Sequence, residues 1–237
     1  MRQKISDMLQ LISFIFAIVL SDCASAMDSD VMFLKGWELP KYLVTKDESR
    51  KDISSLLKLS WEDSYPVKLK GSSNVLTISS CADYFKVKDN TPKPVSSLDF
   101  PPFTFLSLQC EATLLASTAP RSKKNMLNSI EFNDAFADLL PSEIEFGQDI
   151  PSGQTWREVS RASFIKDEGA YLYFKGPDYG YHLYPIAFGD FDSDGYMDLI
   201  LLIKTFALQG NYIHNAAFML SRKEERSKLR LVKQLSN

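Results

Sequence analysis

The chain has 237 residues, and 27 lysine and arginine residues face 30 aspartate and glutamate residues, which gives a formal net charge of −3. A slightly acidic chain with mixed charges lacks the basic footprint of a nucleic-acid-binding protein. Hydrophobic residues form 45% of the chain, so a substantial core is expected in one large domain or two small ones.

The first 26 residues have the pattern of a secretory signal peptide. Arg2 and Lys4 precede an apolar run from Leu11 to Leu20, and Ala24-Ser25-Ala26 supplies the small residues of a cleavage site. The run is too short to span a bilayer, and no later segment combines the length and apolarity of a membrane span. We therefore expect cleavage after residue 26 and a periplasmic or secreted protein.

Cys23 gives this segment an alternative interpretation. Leu20-Ser21-Asp22-Cys23 has the outline of a bacterial lipoprotein box, although Asp22 stands where a small residue is normal. Soluble export is favoured, and lipid anchoring through Cys23 is the alternative. Once the signal is removed, Cys81 and Cys110 remain as an even pair. Without C-x-x-C spacing, they favour a structural disulfide over a redox site.

Residues 27 to 145 are predicted to be helical and rich in loops. The expected elements, in chain order, are a short amphipathic helix from Lys46 to Lys58, a buried strand in "SNVLTISSCADYF", an extended proline-rich loop over 88–103, a helix in "LSLQCEATLLAS" and a helix in "NMLNSIEFNDAFADLLP". The disulfide would then pin the end of the strand to the first of the two later helices.

Residues 146 to 237 are predicted to form an antiparallel meander of about six strands. Glycine, proline, aspartate and asparagine separate six short apolar and aromatic runs, which are "TWREVSRASFI", "AYLYF", "YHLYPIAF", "DLILLIKTFAL", "IHNAAFML" and "KLRLVK". The block "LILLI" is apolar on both faces, which is typical of a central strand covered on each side. The expected class is α+β, with a helical, loop-rich N-terminal half and an antiparallel β-meander C-terminal half.

The segment "FGDFDSDGYMDLILL", residues 188 to 202, concentrates acidic residues without a cation inside it. Four aspartates stand at positions one, three, five and nine of the acidic stretch: Asp190, Asp192, Asp194 and Asp198. Alternate residues of a tight loop can direct their oxygens at one centre, and Gly195 at position six permits the sharp bend. With the carbonyl of Tyr196 at position seven, these oxygens predict a metal site.

Calcium is the expected ion, and a structural role is the expected use. The proposed ligands are all oxygens in a flexible loop, which favours Ca²⁺ over Mg²⁺, and the absence of His and Cys disfavours zinc. The ion would tie "YHLYPIAF" to "DLILLIKTFAL" as neighbouring strands. An acidic turn without metal is the alternative. A catalytic calcium is less favoured because no neighbouring nucleophile or base is evident.

The acidic segment resembles the calcium loop of FG-GAP and VCBS-type repeats, whose pattern is roughly F-G-D-x-D-x-D-G-x-x-D-L. The matching residues are Phe188, Gly189, Asp190, Asp192, Asp194, Gly195, Asp198 and Leu199. The resemblance implies a loop between two antiparallel strands that binds calcium through the four aspartates. It covers one copy of about 15 residues, and about 90 β-rich residues are too few for a propeller. Leu201 stands where an EF-hand carries glutamate.

The remaining motifs do not identify an enzyme. His182 and His214 lie in strand-like runs, and neither a nucleophile elbow nor a zinc-protease motif is present. The aromatic segment "YLYFKGPDYGYHLY" suits either a binding surface for a glycan or protein or the alternating packing of a sheet. The segment "SRKEERSKLRLVKQ" is expected to be a charged turn followed by an edge strand.

These features favour an exported, non-enzymatic binding protein with one structural calcium site. We expect a protein partner, and a periplasmic inhibitor or immunity-type protein fits this class by association. The alternative is a periplasmic hydrolase that acts on cell-wall or glycan substrates through scattered carboxylates.

Overall fold

The computed structural model describes residues 32–33, 56–146 and 153–236, and of residues 32–33 it describes the backbone only. The predicted signal peptide, Cys23 and most of the helix predicted from Lys46 lie outside the described residues. No helix in the described ranges is both long enough and apolar enough to cross a membrane.

The C-terminal half forms one antiparallel sheet whose strands follow each other in space as they do in sequence. The order is β10-β9-β8-β7-β6-β5, and the two-residue β1 also pairs with β7. The strands are β1 Met32–Phe33, β5 Ser163–Asp167, β6 Leu172–Lys175, β7 Tyr179–Gly189, β8 Asp198–Ala207, β9 Ile213–Ser221 and β10 Arg230–Leu235. The predicted six-strand meander is confirmed, and β10 is the edge strand that follows the charged turn.

Strand β8 lies in the middle of this sheet and is covered on both faces. Leu199, Leu201 and Ile203 belong to one apolar cluster, while Ile200 and Leu202 belong to another. Side chains alternate between the two faces of a strand, so a run that is apolar at every position must be covered on both sides. The central position predicted from "LILLI" is therefore confirmed.

Two different parts of the chain cover the two faces. Residues of the described ranges 127–144 and 156–162, including the buried Phe136 and Trp156, pack on the face of β8 that carries Leu199, Leu201 and Ile203, here called the first face. A long helix, α2 (Phe100–Thr118), packs on the second face through Leu108 and its neighbours. Residues on both sides of the predicted boundary at 145/146 thus share one core.

The N-terminal half contains a small three-stranded sheet, of which the sequence predicts one strand, the one in "SNVLTISSCADYF". Strands β2 (Ser60–Lys68), β3 (Val75–Ser80) and β4 (Lys93–Pro94) pair antiparallel in the order β3-β2-β4. The buried residues of β2 are Trp61, Tyr65 and Val67, which all have odd residue numbers, while Asp63 in the same series is exposed. Burial at alternate residues is the pattern of a strand with one covered face. The expectation that this half contains mainly helices and loops is corrected accordingly.

Helix α2 lies between the small sheet and the large one. Phe103 and Leu106 pack with the small sheet, whereas Leu108 and Ala112 pack with the large sheet. A helix that is buried on several sides is apolar around much of its circumference. Residues of α2 therefore belong both to the core of the small sheet and to the core on the second face of the large sheet.

The predicted disulfide is present and joins α2 to the small sheet. Cys81 is the first residue of α1 (Cys81–Val87), directly after β3, and its Cα lies 5.3 Å from that of Cys110 in α2. Both cysteines are buried in the small-sheet core. The bridge links the end of a strand to a helix, as predicted.

The helix predicted over "NMLNSIEFNDAFADLLP" is wrong except for the short α3 (Phe136–Leu139). Asn125 Oδ1 accepts the N–H of Leu127 at 2.9 Å, and Asn133 Oδ1 accepts the N–H of Ala135 at 2.9 Å. Asparagine side chains that bond nearby backbone groups stabilise turns at the expense of helix. The apolar residues of this segment instead belong to a loop that packs on the large sheet.

Two further boundaries differ from the prediction. The run "TWREVSRASFI" begins as a helix, α4 (Trp156–Ser160), because Thr155 and Glu158 form a capping box. The proline-rich segment contains two short 3-10 helices, Lys88–Asn90 and Ser97–Asp99, and α2 begins within it. Proline is well tolerated in the first turn of a helix because no intrahelical partner is needed there.

Candidate functional site

The acidic loop connects the two central strands of the large sheet. Strand β7 ends at Gly189 and β8 begins at Asp198, so residues 190–197 form the turn between them. Gly195 has φ +87°, and Ser193 has φ 63°. The left-handed backbone at Gly195 agrees with the bend expected from glycine at position six.

Three of the four aspartates come together in this turn. Asp190, Asp192 and Asp194 each offer a carboxylate oxygen, and these oxygens lie within 4.8 Å of one another. Asp190 is 2% exposed, whereas Asp192 and Asp194 are exposed. Asp198 does not belong to this group, although all four were predicted as ligands.

Hydrogen bonds within the turn fix the positions of these carboxylates. Gly195 N–H donates to Asp190 Oδ2 at 2.9 Å, Asp194 N–H donates to Asp192 Oδ1 at 3.1 Å, and Tyr196 N–H donates to Asp194 Oδ1 at 2.9 Å. Asp190 Oδ1 is buried and has no hydrogen-bond partner in the described part of the chain. A buried carboxylate oxygen without a partner carries a desolvation cost that a cation would offset.

Asp198 is fully buried at the start of β8. Its Oδ2 accepts the N–H of Phe191 at 3.0 Å, while its Oδ1 has no hydrogen-bond partner among the described residues. The pKa of Asp198 is raised to about 6, mainly by burial and also by the negative charges of Asp192 and Asp194, while the Ser221 hydroxyl and the Phe191 N–H oppose this rise. The unpartnered buried Asp190 Oδ1, beside the carboxylates of Asp192 and Asp194, is of the ligand type that an oxygen-seeking cation such as Ca²⁺ takes, whereas Asp198 lies outside this group.

Cations from the turn between β9 and β10 and from the start of β10 approach the acidic loop, which the sequence did not lead us to expect. Lys223 Nζ lies 2.9 Å from Asp194 Oδ2, and an Arg230 guanidinium nitrogen lies 3.8 Å from the same oxygen. From the sequence, the segment "SRKEERSKLR" is expected only to be a charged turn before an edge strand. Its position beside β8 could have indicated that its lysine and arginine would reach the aspartates.

A second segment holds the loop from outside. The N–H groups of Lys123 and Lys124 donate to the Gly195 carbonyl at 2.8 and 3.0 Å, and Met197 N–H donates to the Lys124 carbonyl at 2.8 Å. The ammonium groups of Lys124 and Lys223 lie 5.1 and 5.3 Å from the Tyr196 ring centroid. The backbone around Tyr196, whose carbonyl is a predicted ligand, is therefore fixed by residues far away in sequence.

The aromatic segment divides between the two faces of the sheet. Leu172, Phe174, Tyr181 and Leu183 are buried in the core of the first face. The residues between them are half-buried on the second face, where they form an aromatic patch of Tyr171, Tyr173, His182 and Tyr184. Core packing thus accounts for every second residue of this segment.

The lowered pKa of His182, in the aromatic patch, predicts that the protein loses stability at acidic pH. Burial, with a smaller contribution from the positive charge of Lys204, lowers its pKa from 6.5 to about 4. The unfolded chain binds a proton at higher pH than the folded chain, so stability is complete above pH 6.5 and is lost as pH falls toward 4. Because the ring is only half-buried, solvent screening reduces the expected loss to about 1 kcal/mol.

His182→Phe preserves the aromatic contact with Tyr171, whose ring centroid lies 4.1 Å away, and removes the titration. We expect the variant to lose less stability than the wild type between pH 6.5 and 4, as measured by urea unfolding. Equal losses in the two proteins would show that His182 does not cause the effect.

The raised pKa of Glu145 predicts the opposite effect, a contribution to stability that decreases as pH rises. Burial raises its pKa, while Tyr181, whose hydroxyl donates to Oε1 at 3.0 Å, and Trp156 act to lower it. The folded protein therefore keeps this proton to higher pH than the unfolded chain does, and its stabilisation is lost as pH rises through the raised pKa. We expect Glu145→Gln to gain stability relative to the wild type as pH rises from acidic to neutral. A pH-independent difference in urea midpoint would contradict this.

No protein-family model, curated protein or solved structure matches the chain. The likeness to FG-GAP and VCBS-type loops therefore remains a local resemblance of one segment, and the function must be argued from the residues of the site.

Proposed function

We propose that this is an exported, non-enzymatic interaction protein in which the acidic loop binds one structural Ca²⁺. The observation that carries the calcium proposal is the grouping of three aspartate oxygens within 4.8 Å at the junction of the central strands; one of the three residues, Asp190, is buried. Bound calcium would supply a divalent counter-charge for these oxygens.

The residues of the chain have distinct tasks in this proposal. Asp190, Asp192 and Asp194 supply carboxylate oxygens, and Asp198 and the Tyr196 carbonyl complete the predicted set. Gly195 gives the turn its shape, and the backbone of residues 123–124 holds it in place. Because the turn joins β7 to β8, an ion there would stabilise the centre of the sheet rather than an outer loop.

Isothermal titration with CaCl₂ tests the proposal through stoichiometry. We expect one calcium ion per chain in the wild type and none in Asp190→Asn. Asp178→Asn is the matched control, because Asp178 is an exposed aspartate beside the opposite end of β7. Absence of binding to the wild type, or equal loss in the two variants, would contradict the site.

The interaction role is supported by the predicted signal peptide, by the disulfide between Cys81 and Cys110, and by the lack of a recognised catalytic motif in the sequence. Within this role a protein partner is expected, and an inhibitor or immunity-type activity fits a small exported chain.

The hydrolase alternative requires an acid and a second carboxylate about 5 to 10 Å apart across a substrate. Glu145 is a half-buried carboxyl whose pKa is raised by burial, and the groups that act against this rise are Tyr181, Trp156 and the backbone of Phe146 rather than a second carboxylate. We expect no release of reducing sugar from purified peptidoglycan by the protein alone. If the wild type releases reducing sugar and Glu145→Gln does not, the result would favour the hydrolase.

A further inference from the structure

An open cleft of about 510 Å³ lies at one end of the small sheet, far in sequence from the acidic loop. Lys68 at the end of β2, Lys70 in the following turn and Lys93 of β4 all contribute to its lining. Its volume is within the range of about 300 to 1,000 Å³ that is typical of small-molecule sites. The cleft is therefore large enough for a ligand of the size of a sugar.

The charged residues that line this cleft are all positive. Among the described residues that line it there are three lysines and no aspartate or glutamate, although the whole chain has a net charge of −3. Lys68 and Lys93 are direct partners across the antiparallel pair β2–β4. Like charges that face each other across a sheet are destabilising, so this arrangement has a cost that a bound anion would relieve.

None of the three lysines forms a salt bridge with a carboxylate of the described part of the chain. Lys86 and Lys88, which lie between Lys70 and Lys93 in sequence, in contrast pair with Asp83 and Glu111 at 3.0 and 2.9 Å. The cleft lysines are exposed, and their ammonium groups are available to an anion from solvent.

Two hydroxyl groups add hydrogen-bond donors to the cleft. Ser72 Oγ accepts the N–H of Asn74 at 3.1 Å, which leaves the hydroxyl proton free to donate. Thr91 lines the same cleft and has a left-handed backbone, with φ 49°, a conformation that is rare for a β-branched residue. Ammonium and hydroxyl donors together suit a ligand with several anionic oxygens.

We propose that this cleft binds a polyanionic sugar that carries sulfate or phosphate groups. Lys68, Lys70 and Lys93 neutralise the oxyanions, Ser72 and Thr91 donate to their oxygens, and the exposed Val95 offers the sugar ring an apolar contact. The inference goes beyond the calcium proposal and uses no residue of the acidic loop.

Sucrose octasulfate is a suitable probe because it displays sulfate esters on a sugar. In calorimetric titrations with CaCl₂ present, we expect 1:1 binding that weakens as NaCl increases. Lys68→Gln and Lys93→Gln should each weaken binding about fivefold, the loss expected for one charge contact in a solvated site. Lys175→Gln, an exposed strand lysine of β6, is the matched control and should bind like the wild type.

Sodium sulfate forms the second arm of the experiment, because it separates the sugar ester from the free oxyanion. We expect sodium sulfate at the same total sulfate concentration to bind much more weakly. Equal affinity per sulfate would overturn the assignment to a sugar, and equal binding by Lys68→Gln, Lys93→Gln and Lys175→Gln would overturn the site.

Thermal unfolding without ligand gives an independent readout. Lys68→Gln and Lys93→Gln should each melt at a higher temperature than Lys175→Gln, because each removes one of two facing like charges. Sucrose octasulfate should raise the melting temperature of the wild type more than that of either cleft variant, and an equal rise would overturn the proposal. Asp190→Asn should still bind the probe, so failure of the calcium site can be distinguished from failure of the cleft.

Discussion

Replacing both Cys81 and Cys110 by alanine is expected to lower the free energy of unfolding by about 3 to 4 kcal/mol. The two cysteines are 29 residues apart in sequence, and a bridge across a loop of this length restricts the unfolded chain by about that amount. Both positions are buried, so the loss of the sulfur atoms adds a packing cost. Urea unfolding of the wild type and the double variant measures the difference.

The location of the bridge makes this prediction more specific. Because it joins α1 to α2 beside the small sheet, amide hydrogen exchange should quicken first in β2 and β3, while β7 and β8 remain protected. A reducing agent should destabilise the wild type and leave the double variant unchanged. An unchanged urea midpoint in the double variant would mean that the bridge contributes little to stability.

Asp190→Asn is expected to lower stability by about 2 to 3 kcal/mol when calcium is present at about 100 times its dissociation constant. The substitution removes a charged ligand that is 2% exposed and keeps the shape of the side chain. In chelator the same change should be neutral or slightly stabilising, because it reduces the repulsion among Asp190, Asp192 and Asp194. The contrast between the two conditions is the predicted signature of a metal ligand.

Asp178→Asn provides the comparison for this second prediction. Asp178 is exposed beside the start of β7, whereas Asp190 follows the end of the same strand. The control variant should unfold like the wild type in both conditions. A loss in Asp190→Asn that is the same with calcium and with chelator would instead reflect the hydrogen bond from the Gly195 N–H to its carboxylate.

Several parts of the fold could be predicted because a strong physical pattern specifies them. Alternation in the C-terminal half, and the doubly apolar run of β8, leave few arrangements that bury all of the apolar side chains. The pairing of Cys81 with Cys110 follows from an even number of cysteines once Cys23 is set aside with the signal. In these cases one local pattern agrees with the global packing.

Other parts could not be predicted from apolar spacing alone. In the loop before α3, Asn125 and Asn133 bond the backbone and replace a helix by turns, although the apolar residues keep a nearly helical spacing. The capping box of Thr155 and Glu158 starts a helix inside a run that is rich in strand-forming residues. Polar side chains that act on nearby backbone groups decide both segments.

In the candidate site, too, residue spacing predicts some contacts and misses others. Spacing correctly indicates that alternate aspartates can converge, and Asp190, Asp192 and Asp194 do so. Spacing does not reveal that Asp198 accepts the N–H of Phe191 inside the protein, or that Lys223 reaches Asp194 from another turn. The first contact depends on the conformation of the turn between β7 and β8, and the second depends on the pairing of β8 with β9, so both are properties of the folded sheet.

The most direct test of the account is thermal unfolding of the wild type with calcium and with chelator. A bound structural ion predicts a melting temperature about 5 to 10 °C higher in saturating CaCl₂ than in chelator, with a smaller rise in MgCl₂. Identical melting temperatures in CaCl₂ and in chelator would contradict a structural calcium ion between β7 and β8.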